Sequence, residues 1–399
     1  MNSLGFGVPM EALDERDTAF LLYDLSRMKR RIEVLQSAFP RGFHHAVAIK
    51  TNPHPAVLSF LLGCGCGLEA ASREELMLAM EAGATGDQLI FDSPVKTREE
   101  IQWCVDHLPG LMLNVNGLDE LTRIPQNHGL RVGIRINPLL SAAGDALYDV
   151  STQRSKFGVP ILEKEAIREA CLAHGVTGLH MHVGSGAGGW QSHVAAVERL
   201  LDLAQHLDDS LEKAGRPPLA FLNIGGGLSA QVGEAGMRDY GAAIAAVGAG
   251  QEKRWSTEFG HWVHAPCGAV VSKVEYVREA WGDNPAMAYL HVGADLFTRQ
   301  VYHKALPLAV TAFDAEGTPK SDLPVPHALV GPLCFAGDVL SDEVALPPLS
   351  EGDWIRIDEV GANTLGLWSR HCSRDVPKVF VQAPDGTVTC TQPRTRIPF

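Results

Sequence analysis

The sequence has no uninterrupted apolar run of the roughly 18 residues that a transmembrane helix needs. It also has no dense block of Lys and Arg, and its 47 acidic residues outnumber its 34 basic residues to give a formal net charge of −13. A surface of that sign repels the phosphate backbone of DNA or RNA. The sequence therefore predicts neither a membrane nor a nucleic acid as partner.

Signals for export and for metal binding are missing as well. Residues 1–20 carry several acidic side chains in place of the basic and then apolar pattern of a signal peptide. We therefore expect a cytoplasmic protein whose eight cysteines are free thiols. Cys64 and Cys66 are separated by a single residue, closer than the usual spacing of about two to four residues between zinc ligands. We predict no metal site.

What is present is a regular series of short apolar runs with helical patterns between them. Ser72–Ala82, Thr97–His107 and Ser192–Ala214 repeat apolar residues every three or four positions, and Ser72 with Glu75 has the spacing of a capping box. Eight strands that alternate with helices favour an α/β fold of the (β/α)8, TIM-like barrel type over an open sheet. The eight runs begin near His45, Gly67, Gln88, Leu111, Arg131, Gly178, Ala220 and Arg254.

After about residue 262 the pattern changes to alternating runs with Pro and Gly between them, such as A-V-V-S-K-V-E-Y-V and W-I-R-I. This pattern is typical of an antiparallel β domain of the sandwich or barrel kind. Ala19–Tyr23 precedes the first barrel strand and is expected to pair into that second domain. We predict an N-terminal strand segment within 1–25, a cofactor-binding barrel over 26–262 and a β domain over 263–399.

Barrel enzymes carry their reactive groups at the C-terminal ends of the strands. Lys50 follows the first apolar run, and we expect its ammonium to point into the barrel mouth, where desolvation would lower its pKa for covalent chemistry. An ion-paired rim lysine is the alternative for Lys50 taken alone. The other strand ends carry Glu69, Asp92, Asn114, Arg135, His182 with Ser185, Gly225-Gly226-Gly227 and Glu258.

Two glycine runs lie at strand-to-helix turns: Gly225–Gly227 and G-S-G-A-G-G over 184–189. Bare backbone N–H groups in such turns can cradle a phosphate. A lysine, a phosphate cradle and a barrel together suit pyridoxal phosphate. Gly184, Gly186 and Gly189 also satisfy the dinucleotide pattern G-x-G-x-x-G, but that pattern belongs after the first strand of its fold, so nicotinamide binding is the weaker interpretation.

Motifs at nine places follow one another along almost the whole chain: A-I-K-T-N-P (48–53), G-L-E-A-A-S (67–72), R-I-N-P (135–138), S-K-F-G (155–158), G-L-H-M-H-V-G-S (178–185), G-G-G-L (225–228), E-F-G-H (258–261), G-P-L-C-F-A-G-D (331–338) and G-A-N-T-L (361–365). In this order they resemble the motifs of the fold-type III pyridoxal-phosphate-dependent decarboxylases, the ornithine, arginine and diaminopimelate decarboxylase group related to alanine racemase.

The resemblance implies a role for each matching residue. Lys50 would form a Schiff base with pyridoxal phosphate and exchange it for the substrate amine. Cys334 would reach in from the partner subunit and protonate the substrate carbon. Lys156 and Asp338 match an ion pair between subunits, so a homodimer with shared active sites is implied. The other implied cofactor contacts are Glu69 near Lys50, Arg135 near the ring hydroxyl, His182 on the ring face, Ser185 and Gly225–Gly227 at the phosphate, and Glu258 at the pyridine nitrogen.

Departures from the family pattern bear on the substrate. Relatives that act on dibasic substrates carry an acid directly after the cysteine, where this chain has Phe335. We therefore expect a substrate whose side chain is neutral, apolar or anionic, and a role in specialised or siderophore metabolism. His261 replaces a phosphate-binding arginine and Asn363 replaces a tyrosine, both kept as cofactor-contact candidates. The candidates for substrate binding are Arg299, Tyr302, Phe335, Arg370 and His371, with Arg374 nearby in a basic cluster.

The predicted activity is decarboxylation of a small-molecule amino acid, with Lys50, His182 and Cys334 as catalytic candidates. A racemase or epimerase on the same scaffold is the first alternative; it requires a second base, usually tyrosine, and no tyrosine lies in a matching motif. A non-catalytic carrier of pyridoxal phosphate is the second alternative, against which the extra β domain and Cys334 argue.

Overall fold

The computed structural model describes residues 7–140, 149–185, 189–303 and 307–396. It divides the chain into two compact units, one of Lys29–Val263 and one that joins Met1–Met28 to His264–Phe399. Within the described part of the chain, no helix combines the length and apolarity required to cross a bilayer. The Gly186 position of the glycine run lies outside the described residues.

The strands of the described residues fall into two sheets. In chain order they are β1 (Ala19–Asp24), β2 (His44–Ala48), β3 (Gly67–Ala70), β4 (Leu89–Phe91), β5 (Met112–Val115), β6 (Arg131–Asn137), β7 (Val159–Pro160), β8 (Gly178–Met181), β9 (Phe221–Asn223), β10 (Arg254–Thr257), β11 (Gly268–Arg278), β12 (Ala286–Leu290), β13 (Ala309–Phe313), β14 (Val325–Val330), β15 (Val339–Leu346), β16 (Trp354–Asp358), β17 (Lys378–Gln382) and β18 (Val388–Gln392).

The first unit is a closed barrel of eight parallel strands, which confirms the predicted fold. The strands pair in the order β2, β3, β4, β5, β6, β8, β9, β10, and β10 pairs with β2 to complete the circle. The two-residue strand β7, which the sequence pattern did not reveal, pairs with the end of β6. Because every barrel strand is covered on both faces, its residues read as short, continuous apolar runs.

Helices follow most barrel strands, and polar side chains cap the starts of two of them, those that begin at Arg73 and Arg98. Thr97 Oγ1 accepts from Glu100 N at 3.0 Å while Glu100 Oε2 accepts from Thr97 N at 2.6 Å, a complete capping box. The box predicted at Ser72 forms only in part, because the Glu75 carboxylate accepts from Ala71 N instead. The helices are α1 (Leu25–Ala38), α2 (Pro55–Gly63), α3 (Arg73–Glu81), α4 (Arg98–His107), α5 (Lys164–His174), α6 (Gln191–Lys213), α7 (Gly233–Val247), α8 (His261–His264) and α9 (Thr298–His303).

The second unit is a mainly antiparallel sheet in the order β15, β14, β12, β11, β1, β17, β18, with β16 paired to both β11 and β13. The early strand β1 lies between β11, to which it is antiparallel, and β17, to which it is parallel. The pairing of β12 with β14 is also parallel, which the alternating sequence pattern did not predict. Phe20 of β1 packs against Phe380 at 5.4 Å between ring centroids, so β1 contributes directly to the core of this unit.

Candidate active site

The C-terminal rim of the barrel brings most of the predicted residues together. Glu69 lies in β3, Arg135 in β6, and His182 and Glu258 directly follow β8 and β10. The prediction that the first barrel strand ends at Lys50 is wrong. Strand β2 ends at Ala48, and Lys50 lies in the 3-10 turn Ile49–Thr51 that follows it. The turn forms because Asn52 N donates to Ile49 O at 2.9 Å.

Lys50 pairs with Glu69, whose side chain is 2% exposed, whereas that of Lys50 is about half exposed at 52%. Burial of the ammonium end opposes its charge, but Glu69, Glu258 and Glu75 together raise the pKa of Lys50 above its usual value. The expectation that desolvation lowers this pKa is therefore wrong for the chain itself. Burial also raises the pKa of Glu69, and Lys50 offsets only part of that effect.

Two asparagines hold the buried carboxylates at the base of the rim. Asn223 Nδ2 donates to Glu258 Oε1 at 2.6 Å, and Asn114 Nδ2 donates to Asp92 Oδ1 at 2.6 Å. The remaining oxygens face His180 Nε2, at 3.4 Å from Asp92 Oδ2 and 3.6 Å from Glu258 Oε2. Burial raises the pKa of Glu258. His180 and Asn223 are the members of this group that the sequence argument missed, although the His-x-His spacing of 180 and 182 was visible.

His182 is partly buried at the rim, with 18% of its side chain exposed and its ring nitrogens near the glycine turns. Gly226 N donates to its Nδ1 at 3.3 Å, and its Nε2 lies 3.5 Å from Ser185 Oγ. Burial first, and then the positive charges of Arg135 and Lys50, lower the pKa of His182 well below its usual value. The ring is therefore neutral at neutral pH, and its Nδ1 is positioned as an acceptor.

Arg135 lies inside the rim with 8% of its surface exposed. Its guanidinium carbon is 4.3 Å from the centroid of the Phe157 ring. Burial lowers the pKa of Arg135, and Asp92, Glu258 and Glu69 oppose that effect. A guanidinium above an aromatic face is attracted by the ring quadrupole, which holds Arg135 in place beside the acids.

The turn Gly225–Gly227 needs glycine because neighbouring backbone atoms lie too close for a side chain. A Cβ on Gly226 would lie 2.2 Å from Glu258 O, and one on Gly227 would lie 1.7 Å from Gly184 O. Gly225 and Gly227 also have φ values of +66° and +102°, which favour glycine. The expectation of bare N–H groups is only partly met, because Gly225 N donates to Asn223 Oδ1 at 2.9 Å and Gly226 N donates to His182.

The two substituted cofactor-contact candidates fall in different units. His261 begins α8 in the barrel unit, and its Nδ1 accepts from Ala230 N at 3.4 Å. Asn363 lies in the β unit with φ of +60°, a left-handed conformation that asparagine tolerates better than tyrosine does. This backbone conformation explains why asparagine is favoured at position 363, independently of the cofactor contact that the resemblance implies.

In the β unit, Cys334 is exposed, and its backbone N donates to Cys372 Sγ at 3.5 Å. The ring of Phe335 lies between those of Tyr302 and His371, with centroids 5.7 and 5.6 Å away and interplanar angles of 9° and 17°. Three predicted residues thus form one aromatic stack beside the candidate proton donor. Cys372 was missed by the sequence argument, and no motif signalled it.

The basic cluster near His371 is smaller than its sequence suggested. Arg374 Nη2 donates to His291 O at 2.9 Å, and its Nε lies 3.4 Å from Asp295 Oδ2, so its charge is used within the unit. Arg299 lies in α9 and Arg370 precedes the 3-10 turn at His371. Both stay predictions as substrate contacts.

Asp338, predicted to pair with Lys156 of a second copy, is 4% exposed. Its two carboxylate oxygens accept from Ala294 N and Leu333 N, each at 2.7 Å. Within its own chain Asp338 therefore organises the segment that carries Cys334.

The rim suits pyridoxal phosphate by the chemistry of its donors. An amine for the aldehyde, a buried carboxylate for a pyridinium and a glycine turn for the phosphate are the three groups that this cofactor requires. Lys50, Glu258 and Gly225–Gly227 supply them at one end of one barrel. The observation that carries this fit is Glu258, because a carboxylate with 4% of its side chain exposed requires a cationic or protonated partner.

Comparisons with known proteins agree with this chemistry. Residues 25–248 match the family of the pyridoxal-dependent decarboxylase, pyridoxal binding domain. A diaminopimelate decarboxylase from Deinococcus radiodurans is 30% identical over 374 residues, which cover 92% of this chain and 90% of the relative.

Two solved structures share the fold. A substituted form of Helicobacter pylori diaminopimelate decarboxylase complexed with L-lysine is 25% identical, with a TM-score of 0.85 and 96% of each chain covered. The arginine decarboxylase of Paramecium bursaria Chlorella virus, bound to agmatine, is 21% identical, with a TM-score of 0.76, and the match covers 91% of this chain and 95% of the viral one. The chain therefore belongs to the fold-type III pyridoxal-dependent decarboxylases and is an amino-acid decarboxylase that uses pyridoxal phosphate.

Proposed function

We propose that this decarboxylase removes the α-carboxylate of an amino acid whose side chain does not end in a cation. The observation that carries the proposal is Phe335, which directly follows Cys334 and is stacked between two other rings. An aromatic stack attracts an ammonium by about 0.5–2 kcal/mol. Leaving a buried charge without its carboxylate partner costs about 3–5 kcal/mol, so the stack does not replace an acid.

A second substrate class is favoured by a different observation. The Deinococcus radiodurans relative is named for diaminopimelate, and the viral neighbour is named for arginine. Both compounds carry a cationic group at the distal end of the side chain. A diamino acid is therefore the competing candidate, and the position of Phe335 is what separates the two.

The residues of the rim would share the work of holding the cofactor. The Lys50 amine would bind its aldehyde, and Glu258 would hold a proton at its ring nitrogen. His182, neutral at neutral pH, would pack against the ring face with Arg135 near the ring hydroxyl. When bound, pyridoxal phosphate supplies the electron sink that accepts the electrons of the breaking carboxyl bond.

The phosphate end would be held by the turns that follow β8 and β9. Ser185 would supply a hydroxyl, and the triple glycine at the neighbouring strand end would supply backbone N–H groups once those of Gly225 and Gly226 turn from their present acceptors, Asn223 and His182. His261 and Asn363 are the remaining proposed contacts, and neither supplies the permanent charge that an arginine would bring to a phosphate.

Cys334 would donate a proton to the substrate carbon from a second copy of the chain. The thiol is exposed on the β unit, and the segment that presents it is fixed by the two hydrogen bonds to Asp338. A homodimer with two shared sites is therefore part of the proposal. The predicted ion pair between Lys156 and Asp338 belongs to the same interface.

Borohydride reduction of the holoenzyme, followed by peptide mapping, tests the cofactor site. The phosphopyridoxyl label is expected on Lys50 and should disappear in Lys50→Ala, while Lys29→Ala, which changes an exposed lysine, should keep it. A label on any other lysine would overturn the assignment of Lys50.

Carbon dioxide release from single amino acids tests the substrate class. Neutral and acidic amino acids should be turned over faster than meso-diaminopimelate, lysine, ornithine or arginine. Phe335→Glu should raise the relative rate on the dibasic compounds, whereas Phe335→Leu, which adds no charge, should not. Faster turnover of meso-diaminopimelate by the unmodified enzyme would establish the diamino acid class instead.

A further inference from the structure

Asp92 and Glu258 are held in matching ways at the base of the barrel rim. Each carboxylate uses one oxygen to accept from an asparagine amide at 2.6 Å, Asp92 from Asn114 and Glu258 from Asn223. The amides come from β5 and β9, so the acids are held from different sides of the barrel. This arrangement leaves one oxygen of each acid directed elsewhere.

Those two oxygens face the same nitrogen. His180 Nε2 lies 3.4 Å from Asp92 Oδ2 and 3.6 Å from Glu258 Oε2, and the His180 side chain has no exposed surface. Within the described residues, three buried atoms of this group make no hydrogen bond: the two ring nitrogens of His180 and Oδ2 of Asp92. Buried polar atoms without partners are costly, which points to a functional constraint on this group.

The charges of the group do not balance if both acids are ionised. Two buried carboxylates near one imidazole repel each other, so they bind one proton between them more readily than either would alone. Burial first, and then the charge of Glu258, raise the pKa of Asp92 to about 6. Burial lowers the pKa of His180 to about 4, so the imidazole cannot neutralise the pair at neutral pH. The titratable groups that face the pair are Lys50, Glu69, Lys96, Arg135, His180 and His182.

We propose that, in mildly acidic solution, Asp92 holds a proton that it shares with Glu258, aligned by His180, and so keeps Glu258 anionic toward the ring nitrogen of the cofactor. Asp92 and His180 are positioning residues here, because they act on the cofactor only through Glu258. The inference rests on the proposed placement of Glu258 opposite that nitrogen. It does not depend on which amino acid is the substrate.

The visible absorption of the bound cofactor, titrated with pH without any substrate, tests the proposal. The unmodified holoenzyme should show a spectral transition that depends on the proton of Asp92. Asp92→Asn keeps an acceptor for Asn114 and carries no titratable proton, so this transition should be lost. Asp119→Asn removes an exposed acid of the same unit and should leave the transition unchanged.

A second variant separates proton sharing from a structural role. Asn114→Ala removes the amide that stabilises the ionised form of Asp92, so it should move the transition up by roughly one pH unit. Loss of fold would instead weaken the band at every pH without moving its midpoint. A transition that is identical in Asp92→Asn and the unmodified enzyme would overturn the proposal.

The remaining outcomes are also decisive. Asp92, His180 and Glu258 offer ligand atoms within 4.8 Å of one another, so stoichiometric metal in the purified holoenzyme, lost in Asp92→Asn, would replace proton sharing by metal binding. Suppose that the holoenzyme carries the label on Lys50 and shows the expected titration, but releases no carbon dioxide from neutral or acidic amino acids. That result would contradict the proposed substrate class alone.

Discussion

At the scale of the residue, the Lys50–Glu69 pair controls the protonation state of the amine that binds the cofactor. The amine must lose a proton before it can attack an aldehyde, yet Glu69 favours the charged form and raises the pKa of Lys50. The ammonium is thus held in place at the rim at the expense of its nucleophilicity. The pair positions the Lys50 ammonium at the barrel mouth although half of the side chain is exposed.

Glu69→Gln should lower the pKa of Lys50, because it removes the nearest negative charge. The cofactor-free chain should then combine with pyridoxal phosphate faster at neutral pH, and the pH of half-maximal rate should fall. Stopped-flow absorbance across a pH series measures both quantities. Glu74→Gln, an exposed acid on α3, is the control, and an equal shift in that variant would contradict the role of Glu69.

The raised pKa of Asp92 makes the stability of the cofactor-free chain depend on pH. The folded state binds this proton more tightly than the unfolded state does, so ionisation of Asp92 costs stability as pH rises from about 4 to about 6. A shift of this size corresponds to about 3 kcal/mol.

Relative to the unmodified chain, Asp92→Asn should therefore gain free energy of unfolding as pH rises through that window, and the difference should be constant above it. Urea unfolding at a series of pH values measures the difference. A difference that stays the same at every pH would show that Asp92 is not protonated in the folded state.

At the scale of the element, the turn after β9 contacts the ends of both β8 and β10 at the cofactor site. Gly226 lies so close to the backbone after β10 that no side chain fits, and the Gly226 N–H orients His182. The glycines are therefore needed for packing between neighbouring strands as well as for any phosphate contact. A turn of this kind transmits a backbone shift directly to His182 and Glu258.

Gly226→Ala should destabilise the barrel unit by about 1–3 kcal/mol, because its Cβ would overlap the Glu258 carbonyl oxygen. It should also weaken retention of pyridoxal phosphate, measured by equilibrium dialysis. Gly63→Ala places a Cβ in open space on α2 and should leave stability unchanged or raise it by about 0.5–1 kcal/mol. Equal effects of the two substitutions would show that the close approach at Gly226 is not maintained.

At the scale of the whole molecule, the proposed dimer predicts complementation. In a mixed dimer of Lys50→Ala and Cys334→Ala chains, one site would have both defects and the other would have neither. Random exchange of subunits should therefore restore about a quarter of the full activity. Carbon dioxide release after mixing, with each variant alone as control, measures it. Failure of exchanged subunits to recover activity would contradict shared sites.

Much of the fold could be predicted from local pattern. The eight barrel strands are short apolar runs separated by amphipathic helices, and this periodicity is a property of neighbouring residues. The parallel pairings of β1 with β17 and of β12 with β14 could not be predicted, because strand direction depends on the path of the connecting chain. The two-residue strand β7 is too short to show a period.

The candidate site divides in the same way. The sequence by itself determined the residue types at the strand ends, among them Lys50, Glu69 and Glu258, because each directly follows or belongs to a recognisable run. Only the tertiary structure decided that Asp92 and His180 meet Glu258, and that Lys50 is held by Glu69 with its pKa raised. Charge interactions and desolvation depend on distances across the closed barrel, and residues far apart in the chain acquire those distances only when it folds.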